Sequence, residues 1–147
     1  MFRLRPAVEG DDGAIRALVK EGQINPTGIK WPRFVVAVTN NGKVIGCGQV
    51  KPHRDGSCEL ASLVVTAEWR GRGVAAAIVM YLINAYSEDL YLMCRSSLGG
   101  FYERFGFRTL QETEMPAYFR RINRLVRLVE FLRKEGETLL VMKREAK

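Results

Sequence analysis

The chain has few of the residues that build metal centres or disulfide frameworks. Its 147 residues include three cysteines and a single histidine. Cys47, Cys58 and Cys94 are odd in number, far apart and without a Cys-x-x-Cys pair, so neither a disulfide scaffold nor a zinc site is expected. His53 alone cannot supply a metal site, and none is expected. No stretch reaches the roughly 18 to 20 apolar residues that a membrane span needs, and the opening MFRLRPAVEGDDG has no apolar signal-peptide core. A cytoplasmic protein without a membrane partner is expected. Repeats and low-complexity tracts are also missing, and the length suits one domain over residues 1–147.

The formal charge of +7 favours an anionic partner, which could be nucleic acid, a membrane surface or a polyphosphate cofactor. Hydrophobic periodicity gives the organisation. Phe2-Arg3-Leu4-Arg5 alternates like a strand, and Asp11-Asp12 stand as helix caps before Ile15, Leu18 and Val19. Gln23 to Pro32 carries prolines and glycine and reads as a loop of the kind that borders binding sites. Phe34 to Thr39 and Val44 to Val50 flank Asn41-Gly42 and predict a hairpin. A turn at Asp55-Gly56 leads into Glu59 to Thr66, too continuously apolar for a solvent-facing strand.

Val74, Ala77, Ile78, Tyr81, Leu82 and Ala85 then recur at helical spacing. Leu90 to Cys94 reads as a buried strand, with Cys94 an inert core residue. A short helix over Leu98 to Phe105 stops at Gly106, and Phe107 to Leu110 is a short strand. Pro116 opens a long helix with Phe119, Ile122, Val126, Val129 and Leu132 inside and Arg120, Arg121, Arg124 and Arg127 outside. Gly136 ends it before a last strand, Thr138 to Met142. Seven strands and four helices alternate, an α/β (α+β) class.

The segment from Leu63 to Ala75 is the most informative, because a buried strand passes through Gly71-Arg72-Gly73 directly into a helix. Glycines let backbone N–H groups converge, and a helix N-terminus carries partial positive charge, so the turn suits a pyrophosphate. It is neither a Gly-x-Gly-x-x-Gly fingerprint, since Ala76 stands at the third position, nor a Walker loop. Arg70-Gly71-Arg72-Gly73-Val74-Ala75 after one strand, and Phe101-Tyr102-Glu103-Arg104-Phe105-Gly106-Phe107 after the next, resemble the two signatures of the GNAT superfamily of acetyl-CoA-dependent N-acetyltransferases. Glu68 departs from the first position of the family's glycine motif, usually Gln or Arg.

The resemblance implies a mixed, mostly antiparallel central sheet of about seven strands flanked by helices, with the long helix as an addition before the last strand. It implies acetyl-CoA as cosubstrate, with the amides of Arg70, Gly71, Arg72, Gly73, Val74 and Ala75 on the pyrophosphate and Leu63, Val64 and Val65 beside the pantetheine. An amine of pKa about 10.4 must lose a proton before it attacks a thioester, and the leaving thiolate gains one. By resemblance Glu59 is the base and Tyr102 the acid. The family's asparagine after the fifth strand is replaced by Arg95-Ser96-Ser97, where Ser96 or Ser97 either hydrogen-bonds the cofactor or caps the short helix.

Glu59 read alone is a solvated strand-end residue and His53 a surface residue of a turn. The acceptor is expected to be a primary amine on a small molecule, an amino acid or a protein, selected by Gln23 to Pro32 and by Glu112 to Glu135. Met115-Pro116 and the arginine helix resemble the acetyltransferase domain of N-acetylglutamate synthases, which implies a carboxylate clamp; the plainer reading is a solvated face. Two rivals stay open: a catalytically silent CoA-binding sensor, and a basic nucleic-acid-binding module that lacks interleaved aromatics. A homodimer also stays open.

Overall fold

The computed structural model describes residues 1–130 and 136–146, with the backbone alone described at 128–130. The strands are β1 (Phe2–Pro6), β2 (Phe34–Thr39), β3 (Val44–Pro52), β4 (Cys58–Val65), β5 (Leu90–Arg95), β6 (Arg108–Thr109) and β7 (Leu139–Arg144). The helices are α1 (Asp12–Glu21), α2 (Val74–Ala85), α3 (Gly99–Glu103) and α4 (Ala117–Glu130). The hydrogen-bonded strand order is β1-β2-β3-β4-β5-β7-β6. Pairing is antiparallel at β1–β2, β2–β3, β5–β7 and β6–β7 and parallel at β4–β5, the expected mixed sheet. The chain divides into two compact units, residues 1–51 with 60–86, and 52–59 with 87–147.

In the first unit β2 is buried along almost its whole length, so it must be covered on both faces. Phe34, Val36 and Val38 join Ile15, Leu18 and Val19 of α1 in one core cluster. The alternate residues Val35 and Ala37 pair with Gly48 and Gly46 of β3 and lie on the opposite face. That face receives α2. A Cβ on Gly48 would stand 2.8 Å from Ile78 Cγ2 and 3.3 Å from Leu82 Cδ1, and one on Gly46 would stand 3.1 Å from Val74 Cγ1. The two glycines therefore set how near α2 comes to the sheet.

Two sequence expectations change here. The buried residues of α2 are Val74, Ile78, Val79, Leu82 and Ile83, while Ala85 is exposed. The helix is apolar around most of its circumference, so spacing alone does not choose its inner face. Asp11 precedes α1 but makes no side-chain cap to it. Its carboxylate instead accepts from Arg5 at 2.7 and 3.1 Å and from Val8 N–H at 2.8 Å. A charged donor on β1 outbids the helix amides.

In the second unit β7 lies between β5 and β6, and Val141 packs with Leu110, Met115 and Phe119. Phe119 of α4 is fully buried, while Ile122 and Val126 are half-buried. The side chain of Val129, Leu132 and the remainder up to residue 135 lie outside the described residues. Arg121, Arg124 and Arg127 are exposed as expected, but Arg120 is half-buried and donates to the carbonyl of Met115 at 2.8 Å. The N-terminus of α4 is capped from a distance, since Asp55 Oδ2 accepts from Tyr118 N–H at 3.0 Å.

Gly48→Ala should cost about 1–3 kcal/mol in urea unfolding, because the added methyl is driven into Ile78. Wild-type stability in that variant would show that α2 does not approach β3 so closely.

Candidate active site

The glycine turn has the conformation its composition predicts. Gly71 has φ +74° and Gly73 φ +82°, left-handed values that a side chain would strain. Nothing lies within 4 Å of a Cβ built on either glycine, so the space on that side of each is open. Gly73 is the N-cap of α2 and no side chain caps the helix. First-turn amides behind a glycine, beside the half-buried Ala75, Ala76 and Ala77, fit a pyrophosphate.

The two arginines of the turn are exposed, and each has a local partner. Arg70 Nε donates to Val65 O at 3.2 Å, tying the turn to the end of β4, and the Arg72 guanidinium lies 5.0 Å from the centre of the Trp69 ring. Arg70 thus places positive charge beside Val65, and of the predicted cofactor residues the structure joins the turn to the end of β4.

Sequence reasoning missed an irregularity in β4 just before them. Ser62 has φ +57° inside the strand, a conformation that costs a non-glycine residue on the order of 1 kcal/mol. Gln49, wholly buried, donates to Ser62 Oγ at 2.9 Å and to Gly28 O at 3.3 Å. Gln49 Oε1 is buried without a hydrogen-bond partner. Lys51 is 8% exposed and its Nζ donates to Thr27 O at 3.2 Å. The segment Asn25 to Ile29 is thus tethered to β3. Two polar residues at alternate positions near the end of an otherwise apolar strand, Gln49 and Lys51, are the signal available in the sequence.

In the second unit Glu59 is buried, 5% exposed, and stands opposite Tyr91 of β5. Its Oε1 lies 2.8 Å from His53 Nε2. The His53 side chain is only 9% exposed, stacked on Tyr118 at 3.6 Å and edge-on to Phe119 at 5.6 Å. The surface reading of His53 and the solvated reading of Glu59 are therefore corrected. The Asp55-Gly56 turn folds His53 N–H back onto Ser57 O at 2.9 Å, and α4 then covers the imidazole. Burial would raise the Asp55 carboxyl, but hydrogen bonds from Ser57 and Tyr118 N–H, with His53 nearby, hold it below the usual range.

Tyr102 lies on α3 in an aromatic cluster, 5.0 Å from Phe101 and 6.1 Å from Phe107. Burial, with a smaller effect from Cys94, pushes its phenol up to about 12. It remains a proton donor throughout the neutral range. Cys94 is buried beside Met142 and pushed up to about 11 by burial, consistent with an inert thiol. Neither Ser96 nor Ser97 caps a helix, which corrects that alternative. Ser96 Oγ accepts from Thr138 N–H at 3.2 Å, and Ser97 N–H donates to Glu137 at 3.3 Å, because the residues leading into β7 reach them first. On α4, Arg124 and Arg127 pair with Glu112 at 2.6 and 3.4 Å, with all three side chains partly solvated. No helix among the described residues is long and apolar enough to cross a membrane.

The sequence matches the family described as acetyltransferase (GNAT) domain over residues 30–109. A search of curated proteins finds no match. Among solved structures, the chain is similar to N-acetylglutamate synthase from Neisseria gonorrhoeae complexed with coenzyme A and N-acetyl-glutamate, with a TM-score of 0.75 and 20% identity. That likeness covers 100% of this chain but 35% of the synthase, so the chain spans about a third of that protein. Rv2747 from Mycobacterium tuberculosis, in complex with CoA and NLQ, gives 0.73 at 22% identity over 99% of both chains. An acetyltransferase of the GNAT family from Staphylococcus aureus gives 0.69 at 13% identity over 100% of both. At these identities the likeness shows a shared fold.

The raised phenol carries a stability consequence. Tyr102 binds its proton more tightly folded than unfolded, so its contribution is complete below about pH 10 and is lost as pH rises toward about 12. Tyr102→Phe should therefore lose stability less steeply than wild type across that alkaline window in pH-dependent urea unfolding. Parallel curves would contradict the burial of the phenol.

Proposed function

The chain belongs to the acetyltransferase (GNAT) family of acetyl-CoA-dependent acyltransferases, and on that premise we propose that it acetylates the primary amine of a small carboxylate-bearing acceptor such as an amino acid. The turn Arg70 to Ala75 holds the pyrophosphate through backbone amides, and Leu63 to Val65 line the pantetheine. Glu59 takes the proton from the acceptor ammonium. The neutral amine attacks the thioester carbonyl, the carbon–sulfur bond breaks, and the thiolate leaves as Tyr102 supplies its proton.

One observation carries the assignment of Tyr102. The phenol is buried and pushed up to about 12, so it is protonated throughout the neutral range and can donate to the leaving sulfur as the carbon–sulfur bond breaks. The acceptor class rests on Lys51, a buried ammonium whose described hydrogen-bond partner is one neutral carbonyl, Thr27 O, on the loop expected to select the amine. A charge so placed gains most from an anion. The amino-acid product in the gonococcal synthase structure points the same way.

Thiol release from acetyl-CoA should be measured against free amino acids, polyamines, aminoglycosides and lysine-containing or N-terminal peptides. Turnover is expected with an amino acid and not with its decarboxylated amine. Glu59→Gln and Tyr102→Phe should each lower kcat/KM on the order of 10² to 10⁴. Lys51→Met should raise the acceptor KM roughly tenfold or more while leaving acetyl-CoA binding in place. Binding of acetyl-CoA without thiol release from any amine would establish a silent sensor instead. Neither binding nor turnover would end the proposal.

A further inference from the structure

One face of β3 carries hydrogen-bonding side chains at alternate positions, Cys47, Gln49 and Lys51. Cys47 Sγ donates to Ser62 O at 3.5 Å, and Gln49 Nε2 donates to Ser62 Oγ at 2.9 Å and to Gly28 O at 3.3 Å. Lys51 Nζ donates to Thr27 O at 3.2 Å. Ser62 is thus held at its carbonyl and its hydroxyl, while the loop after α1 is held at two consecutive residues. Of the three side chains, Gln49 is the one that touches both.

The orientation of the Gln49 amide follows from its partners. Gly28 O can only accept, so the amino group faces it and Oε1 is left buried without a partner. An apolar side chain of the same volume would avoid the cost of that carbonyl, so packing alone does not account for a glutamine here. The loop is shaped to the same row. Gly28 has φ +69°, and a Cβ built on it would stand 3.0 Å from Lys51 Cδ and 3.1 Å from Lys51 Nζ.

We infer that Gln49 is a positioning residue that couples acetyl-CoA to the loop at Thr27 and Gly28, because one amide holds both that loop and the left-handed Ser62. The inference rests on Leu63 to Val65 lining the pantetheine and on the loop bordering the acceptor. Ser62 immediately precedes Leu63, so its φ of +57° sets the direction from which residues 63–65 meet the cofactor. That conformation costs a non-glycine residue about what one neutral hydrogen bond returns, so the bend depends on Gln49. A cofactor paired along 63–65 favours the bent strand, the bent strand favours the amide in place, and the amide favours the tethered loop. By reciprocity, an acceptor held by the loop tightens the cofactor by the same factor. One neutral hydrogen bond limits that factor to roughly threefold to tenfold. The Cys47 thiol, pushed up to about 12 by burial, keeps its proton and its bond to Ser62 O over the neutral range.

Hydrogen exchange of the whole chain with and without CoA tests the coupling and needs no acceptor. CoA should slow exchange at residues 70–75 and, by roughly threefold or more, at Thr27 to Ile29. In Gln49→Met, which keeps the volume and removes both donations, protection by CoA should persist at 70–75 and vanish at 27–29. Ser62→Gly, free to take a positive φ but without the hydroxyl, should behave in the same way. Calorimetry then uses the amino acid turned over fastest in the thiol-release panel. Saturating CoA should tighten its binding by roughly threefold to tenfold in wild type and leave it unchanged in both variants.

A side chain that only packs would lower the melting temperature without uncoupling the two ligands. Loop protection that survives in either folded variant overturns the inference, as does an unresponsive loop in wild type while residues 70–75 are protected. Absence of CoA binding in wild type would end the proposed function and this inference with it. The two failures differ in whether residues 70–75 respond.

Discussion

How closely α2 can approach β3 governs the first unit. Gly46 and Gly48 remove the two side chains that would stand between them, and Val74, Ile78 and Leu82 occupy the space. The start of α2 is thereby fixed relative to β3 and to the end of β4, where Thr66 N–H bonds Ile45 O at 2.9 Å. Residues 66–73 then have to join β4 to α2, and the left-handed Gly71 and Gly73 make the turn into the helix. The uncapped start of α2 follows from packing beneath it, and it is the kind of helix N-terminus that suits an anion.

The polar interior is arranged around β4. Ser62, strained by its positive φ, is held by Gln49, and the same amide reaches Gly28 in the loop after α1. Lys51 fastens that loop a second time at Thr27. Such buried groups are costly unless paired, and the hydrogen bonds they make tie the loop after α1 to β3 and β4. In the second unit the pattern recurs: Glu59, His53 and Asp55 are each engaged by a partner from a different part of the chain.

Much of the fold was legible in the sequence because it depends on local rules. Asn41-Gly42 set the β2–β3 hairpin, Gly106 with φ +91° ended α3, and the unbroken apolar runs of β4 and β5 were recognisable as interior strands. The candidate cofactor turn and Tyr102 were legible too, as ordered motifs at a fixed separation. Less was visible where one residue had several partners to choose from. Asp11 has the sequence position of a helix cap but pairs with Arg5, Ser96 has that of a cap or cofactor ligand but bonds Thr138, and His53 stands in a turn yet is a buried neighbour of Glu59.

Those differences share one physical cause. The sequence by itself determined the elements, the glycine positions and the residue types available for proton transfer and phosphate binding, since backbone dihedrals and hydrophobic period are properties of neighbouring residues. Tertiary structure alone decided which face of α2 is inward, that Ser62 would bend β4, that Lys51 would be buried, and that α4 would cover His53. Burial and hydrogen-bond competition depend on what arrives from elsewhere in the chain. Two aromatic rings from residues 118 and 119 turn a histidine in an apparently exposed turn into a partner for a carboxylate, and nothing near residue 53 announces them.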